Sequence, residues 1–332
     1  MTQTINSAPA RQLGTAGPVI APLALGCMGM SGMYGPSSET ESIATIHAAL
    51  EAGLTLLDTG DFYGQGHNEA LLGRALQGRR DQALLSVKFG AMRGPDGAFI
   101  GFDARPAAIR NFVAYSLTRL GVDHIDIYRP ARLDPAVPIE DTIGAIADLV
   151  QAGWVRGIGL SEVGVETIRR AHAVHPITDL QIEYSLVSRA PEAAIFPVLQ
   201  ELGIGCTAYG VLSRGLLSGS RSTGAGDFRA HLPRFAGATG DANRALVAEL
   251  QQVAASTGQS LSQLAIAWVL AKADFIVPVI GARTRSQLTE SLGALSVTLP
   301  AEMQGELERV ASAIAGTRYD AHQMQMLDSE RA

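Results

Sequence analysis

The chain has 332 residues, 47% of them apolar and 17% charged, with a formal net charge of −6; this supports a large packed core and excludes an intrinsically disordered protein. No block or stripe of Lys and Arg could neutralise a run of phosphates, which excludes nucleic-acid binding. No run of about 18 apolar residues could span a membrane, and residues 1–10 are polar, without the apolar stretch of a signal peptide, so a cytoplasmic protein is expected.

Residues 1–10 read as a flexible arm. The segment 11–20, RQLGTAGPVI, reads as a hairpin turning at Ala16 and Gly17 and plugging the bottom of a barrel, with a disordered arm as the alternative. Eight short apolar runs follow, at 22–26, 54–58, 83–88, 125–129, 155–161, 180–184, 204–209 and 275–280. Between them lie amphipathic segments with apolar positions three and four apart, at 39–52, 107–120, 139–152, 165–174 and 192–202. Gly53, Gly121, Gly153 and Gly203 follow helical patterns and suit the left-handed turn after a helix. Strands covered by helices on both faces pair in parallel, and eight β/α units close a barrel. The predicted fold class is therefore α/β: a (β/α)8 TIM barrel with an N-terminal β-hairpin and extra C-terminal helices, as one domain over 1–332.

Between the seventh and eighth runs stand two helical patterns, 244–255 and 261–272, after a Gly- and Ser-rich loop at 217–240 whose length marks a lid or binding loop. Residues 316–332 form a C-terminal tail. Cys27 and Cys206, outside any C-x-x-C or His-rich context, read as buried free thiols of a reducing compartment. His172 and His175 have no further ligands near them in sequence and read as a solvated helix end, so no metal is expected.

In a barrel of this kind the active site lies at the carboxyl ends of the strands. Asp58 ends the second run, Tyr63 follows it in LDTGDFYGQGHNE, and Lys88 ends the third run in LLSVK. A lysine buried at a strand end needs a counter-charge, and Asp58 on the neighbouring strand is placed to supply it. An ammonium beside Tyr63 favours the phenolate and is expected to pull the hydroxyl below its reference pKa of about 10, giving a general acid with its tuning group. Singly, Asp58 could be a cap, Tyr63 a loop aromatic and Lys88 a solvated strand end; their placement at consecutive strand ends points to chemistry. No G-x-G-x-x-G follows any strand. Gly26, Gly29 and Gly32 have the wrong spacing and read as a flexible rim, with Met28, Met30, Met33 and Tyr34 as an apolar wall.

The segment LDTGDFYGQGHNE, with Lys88 after the next strand, resembles the signature of the aldo-keto reductase superfamily. The resemblance runs over nearly the whole chain and is strongest to the pyridoxal reductase-like bacterial and fungal branch. It implies an NADPH-dependent oxidoreductase that reduces aldehydes or ketones, or runs backwards on alcohols. Tyr63 would protonate the carbonyl oxygen as the nicotinamide hydride attacks carbon, with Lys88 and Asp58 tuning the tyrosine. The family's catalytic histidine ends the fourth strand, where IDIYRPARLDP places Ala131, with Arg132 and Asp134 keeping the family register beyond it. Alanine donates no hydrogen bond, a loss that typically costs about 100- to 1000-fold in rate; His67, His124, Arg129 and structured water are the substitutes to consider. The same departure keeps an alternative open, a low-turnover NADPH-binding redox-sensing or regulatory subunit.

The resemblance further implies that Ser161 and Gln181 bind the carboxamide and that Tyr209 stacks on the nicotinamide, with Glu162 standing where asparagine is usual. AYGVLSRGLLSG resembles the family's pyrophosphate loop, in which Gly210, Leu212, Ser213, Gly215 and Leu216 offer backbone amides and a hydroxyl. VIGARTRSQLTESL opens a helix whose N-terminus favours a phosphate. Its Gly281, Arg283, Gln287 and Glu290 match the adenosine end, Arg283 suits the 2'-phosphate, and Ser291 replaces a usual asparagine. The loops 91–105 and 217–240 and the tail carry Phe99, Phe102, Phe228, Phe235 and Tyr319, which point to an apolar, open pocket for aromatic or polycyclic carbonyls.

Overall fold

The computed structural model describes residues 9–220 and 227–330. Residues 1–8 of the expected arm, part of the 217–240 loop and the last two residues of the tail lie outside the described residues, as does the side chain of Phe228. The chain opens on the expected hairpin, β1 (Arg11–Gln12) and β2 (Val19–Ile20), antiparallel with Arg11 opposite Ile20. Leu13 and Ile20 are buried in a cluster with Ala24, Leu56, Ile127, Val277 and Val279, so the hairpin fills the amino end of the barrel. Arg11 fastens it there by donating to the carbonyls of Leu270 (2.7 Å) and Ala273 (3.0 Å).

The eight apolar runs form β3 (Ala24–Gly26), β4 (Leu56–Gly60) and β5 (Leu84–Phe89), then β8 (Ile125–Pro130), β9 (Val155–Ser161), β10 (Ile177–Glu183), β11 (Gly205–Tyr209) and β12 (Ile276–Gly281), with a short hairpin, β6 (Ala91–Arg93) and β7 (Phe99–Phe102), standing outside the barrel after β5. The eight close in the order β3-β4-β5-β8-β9-β10-β11-β12, with β12 pairing back onto β3 and every pair parallel. The expected (β/α)8 barrel is present. The helices that alternate with these strands are α1 (Glu39–Ala52), α2 (His67–Ala75), α3 (Pro106–Leu120), α4 (Ile139–Gln151), α5 (Val165–Val174) and α6 (Ile195–Leu202). They are followed by α7 (Gly237–Ala255), α8 (Leu261–Lys272), α9 (Arg285–Leu292), α10 (Ala301–Ala311) and α11 (Ala321–Gln325). Among the described residues no helix is long and apolar enough to cross a membrane.

Two elements escape the sequence pattern for physical reasons. The helix α2 turns the polar Asn68 and Glu69 inward, both fully buried, so no apolar stripe announces it. The hairpin β6–β7 was expected as loop; its strands are short and half exposed around the turn at residues 94–98, where alternation has no core to record. The helix α7 starts seven residues before the expected 244, because its first turns carry Gly, Ala, Thr and Asp rather than periodic apolar residues.

Truncating a plug residue is expected to cost stability in proportion to burial. Leu13→Ala removes a fully buried side chain and should lower unfolding free energy by roughly 2–5 kcal/mol in a urea titration. Val19→Ala, at a position 62% exposed on the same hairpin, should change it by less than about 0.5 kcal/mol.

Candidate active site

The carboxyl ends of the strands converge on a buried polar cluster. Lys88 Nζ donates to Asp58 Oδ1 at 2.5 Å and to Gln181 Oε1 at 2.9 Å. Asp58 Oδ2 accepts from Ser86 Oγ (3.0 Å) and Gln181 Nε2 (2.8 Å). One layer deeper, Arg129 donates to Asp179 Oδ2 (2.9 Å), Thr207 Oγ1 (3.2 Å) and Ser86 Oγ (2.9 Å). Two cations thus face two carboxylates inside the barrel. Only two of the chain's 26 basic residues are lysines, so the compact ammonium at this place is a choice against the chain's own habit. Burial lowers the pKa of Lys88, and Asp58 opposes that fall.

Tyr63 reaches the cluster through a tight turn between β4 and α2. Gly60 makes room for it, since a Cβ there would stand 3.1 Å from Phe62 and 3.4 Å from the Tyr63 ring. Gly66, at φ 93°, closes the turn with its α-carbon against Arg119, where a Cβ would lie 2.8 Å from the side chain. Asn68 staples the turn to the neighbouring strand by donating to Cys27 O and Ser31 Oγ, each at 2.8 Å, while accepting from Thr59 Oγ1 at 2.6 Å. Tyr63 is 6% exposed, its ring packs edge-on to Phe62, and Lys88 Nζ lies 5.3 Å from its centroid. The expected fall in its pKa does not occur. Burial, and then the negative charge of Asp58, push it well above 10, because the ammonium is spent on Asp58 and the phenolate would face the same carboxylate.

The candidates for the missing histidine sort themselves by position. Ala131 is 3% exposed just past β8, with its N–H held by Phe89 O at 2.8 Å. His124 pairs with Asp123 at the amino end of β8, beside a cleft of about 560 Å3 at the opposite end of the barrel. His67 is exposed and bonds Ser31 Oγ at 2.9 Å. Arg129 is fully buried below the Lys88 layer. None of the three residues stands beside Ala131. The group that does is Arg132, whose Nη1 donates to Ala131 O (2.7 Å) and Ser161 Oγ (3.2 Å) while Nη2 lies 3.5 Å from the Tyr209 hydroxyl.

The positions implied for a cofactor fall into three places. Ser161 and Tyr209 end β9 and β11, on either side of β10, and meet at Arg132, whereas Gln181 is turned inward onto Asp58 and Lys88, a role its sequence position did not reveal. In the loop after β11, Ser213 and Arg214 have φ of 47° and 54°, flanked by Gly210 and Gly215 at 67° and 93°, a run of left-handed backbone that folds into a concave nest. Of the amides expected to be free there, those of Ser213 and Gly215 bond Gly210 O (2.6 Å) and Leu212 O (2.9 Å) within the loop, and the Leu216 side chain belongs to the core. The buried Ser213 Oγ has no hydrogen-bond partner among the described residues. After β12, Arg283 donates from its N–H to Gln287 Oε1 (2.9 Å) and from its guanidinium to Tyr34 O (3.0 Å), and Thr284 caps α9. A Cβ at Gly281 would meet open space, and Glu290 accepts from Ser260 at 3.1 Å.

Of the expected apolar wall, Met30 is 1% exposed and lies in the core rather than at the rim, on the short helix that follows β3. Phe99 and Phe102 pack on one another in the outer hairpin, and Phe235 packs on the core. Tyr319 does reach the mouth, with its hydroxyl 3.2 Å from that of Tyr209 and Arg214 over its ring at 4.5 Å. His172 and His175 are engaged with nearby backbone, at Ile177 N and Pro176 O. The sequence also left unnamed Glu183, which accepts from Arg214 at 2.7 Å, and Arg318; no motif surrounds either, so only the fold brings them in.

The chain belongs to the Aldo/keto reductase family, whose profile matches residues 22–312. Among solved structures it is similar to the glycerol dehydrogenase AKR11B4 from Gluconobacter oxydans, with 27% identity, 95% of this chain and 98% of that chain covered, and a TM-score of 0.83. It is also similar to the aldo-keto reductase AKR11C1 from Bacillus halodurans in its holo form (32%, 95% and 99%, 0.77). A third is the thermostable aldo-keto reductase Tm1743 in complex with the inhibitor epalrestat (26%, 91% and 99%, 0.73). The protein is accordingly an oxidoreductase of carbonyl compounds in a family that uses nicotinamide cofactors.

Removing one charge of the buried pair should be costlier than removing both. Lys88→Met leaves Asp58, 5% exposed, without its counter-charge and should destabilise the fold by roughly 3–5 kcal/mol in urea unfolding. Adding Asp58→Asn should restore more than half of that loss.

Proposed function

We propose that this protein is an NADPH-dependent reductase of aldehydes or ketones in which Tyr63 is the proton donor and Lys88 and Asp58 set its charge environment. The observation that carries this reading is the buried Asp58–Lys88 pair lying directly under the Tyr63 ring at the mouth of the barrel. A tyrosine held well above pH 10 stays protonated at neutral pH, which is the form an acid needs when its acceptor is an oxygen becoming an alkoxide. As the hydroxyl proton leaves, the nearby guanidinium of Arg132 offsets part of the charge that grows on Tyr63, the ammonium of Lys88 being held by Asp58. The Tyr63 hydroxyl would donate to a carbonyl oxygen lodged at the mouth of the barrel. Arg132, anchored on the carbonyl of Ala131, lends positive charge near Tyr63 beside the position where the resemblance implies a histidine.

The residues present fit a nicotinamide dinucleotide. A buried, unpartnered Ser213 hydroxyl in a left-handed nest suits a pyrophosphate oxygen. Gly210, Leu212, Gly215 and Leu216 would shape that nest, and Ser161 and Tyr209 would flank the nicotinamide, with Gln181 held inward on Asp58 and Lys88. Gly281, Arg283, Gln287 and Glu290 would hold the adenosine end, with Arg283 on the 2'-phosphate. When bound, the reduced nicotinamide supplies the hydride. The substrate is a small-molecule carbonyl, and in reverse an alcohol, lodged against Tyr34, Tyr63 and Tyr319.

Tyr63→Phe should cut kcat for carbonyl reduction by about 100-fold or more, the usual contribution of a positioned acid, while the NADPH dissociation constant from fluorescence titration stays within about threefold. A variant that kept a tenth of the wild-type kcat would show that another group gives the proton. The unmutated protein should bind NADPH at least about tenfold more tightly than NADH, and Arg283→Ala should erase that preference by weakening NADPH alone; equal constants for the two cofactors in wild type would overturn the assignment of Arg283.

A further inference from the structure

The least expected feature of the mouth is an ion pair whose two halves come from opposite ends of the chain's logic. Glu162 follows β9 at φ 54° and is fully buried. Arg318 lies beyond residue 312, where the family profile ends, and returns to grip it with both arms, Nη1 to Oε1 at 2.7 Å and Nη2 to Oε2 at 2.6 Å. Tyr209 also donates to Glu162 Oε1, at 2.7 Å, and Ser329 Oγ to Oε2, also at 2.7 Å. Burial opposes the charge on Glu162, yet Arg318, with Arg132 behind it, holds the carboxyl down to about 2. Arg318 itself is steadied by Glu330 at 2.7 Å and faces Glu183 at 3.5 Å.

We propose that Arg318 is a positioning residue which, through Glu162, both fixes the Tyr209 ring and sets the net charge beside the nicotinamide, and so fixes the relative affinity for the reduced and oxidised cofactor. This rests on the reading above that Ser161 and Tyr209 flank the nicotinamide. The oxidised ring carries a positive charge and the reduced ring does not. A carboxylate hydrogen-bonded to the tyrosine hydroxyl lies about one ring's length from anything stacked on that tyrosine. Left alone, Glu162 would favour the oxidised form; a bidentate guanidinium cancels it. The glutamate that departs from the usual asparagine is thus matched by an arginine that the tail adds.

The test is a double-mutant cycle on the full-length protein, reading the ratio of NADPH to NADP+ dissociation constants by calorimetry or fluorescence titration. Arg318→Met should move the ratio about tenfold towards NADP+. Glu162→Gln, which leaves the arginine's charge in place, should move it in the opposite direction, and the double variant should return to within about threefold of wild type. Arg318→Lys, which keeps the charge and loses the fork, should keep the wild-type ratio and carries the test together with Glu162→Gln if the Met variant does not fold. A structural role alone would weaken both cofactor forms equally and leave the ratio unmoved; that result overturns the inference. A wild-type protein that binds neither form overturns the cofactor reading beneath it, a different outcome from bound cofactor with an unchanged ratio.

Discussion

The ion pair between Asp58 and Lys88 is the constraint around which the upper half of the barrel is arranged. A buried carboxylate and ammonium hold together only if their remaining donors and acceptors are also met, and the interior supplies them strand by strand. Ser86 and Gln181 complete Asp58, Gln181 gives Lys88 a second acceptor, and Arg129 with Asp179 and Thr207 forms a second neutral layer beneath. Five of the eight barrel strands, β4, β5, β8, β10 and β11, are joined by this network, which passes over β9. Below it the interior turns apolar around Leu13, Ile20 and Leu56. The barrel is therefore polar where it does chemistry and plugged with hydrocarbon where it does not.

The barrel was legible because strands buried on both faces and helices with one apolar stripe leave different periodicities in the sequence. The Asp58–Lys88 pair was legible for a similar reason: adjacent parallel strands bring their ends together, and β4 pairs β5 with Asp58 opposite Ser86 and Gly60 opposite Lys88. What escaped depends on long-range placement or on burial. Gln181 sits 93 residues from Lys88 in sequence, and nothing local says whether its amide faces outward to a ligand or inward to a charge. The direction of the Tyr63 shift is not legible in the sequence, because proximity to a lysine can be read from a motif, while burial and the prior claim of Asp58 on that lysine cannot.

A second ring of charge surrounds the first. Arg132, Arg214 and Arg318 stand against Glu162 and Glu183 around Tyr209 and Tyr319. The inner ring sits within the barrel; the outer one borrows from the loop after β11 and from the tail. The carboxyl terminus is thereby tied to the strand ends at which the chemistry takes place.

How the tail is ordered follows from what it buries. Of residues 316–330, only Arg318 and Leu327 are buried, and α11 has five residues with none buried, too short to persist by its own hydrogen bonds. Apolar burial therefore contributes little, and the order comes from polar contacts: Arg318 and Ser329 on Glu162, Glu330 on Arg318, and Asp328 accepting from Gly164 N at 2.8 Å. Two of these four fall on the Glu162 carboxylate, and a third braces the arginine that grips it. Because Glu162 and Arg318 are themselves withdrawn from solvent, salt screens their attraction far less than it would a surface pair, so a segment with almost no hydrophobic anchor is held in register by a single buried charge. Any substitution at Glu162 consequently acts twice, on the electrostatics at Tyr209 and on the order of the tail at 316–330, and the two effects separate only when the charge is replaced without removing the hydrogen-bonding shape.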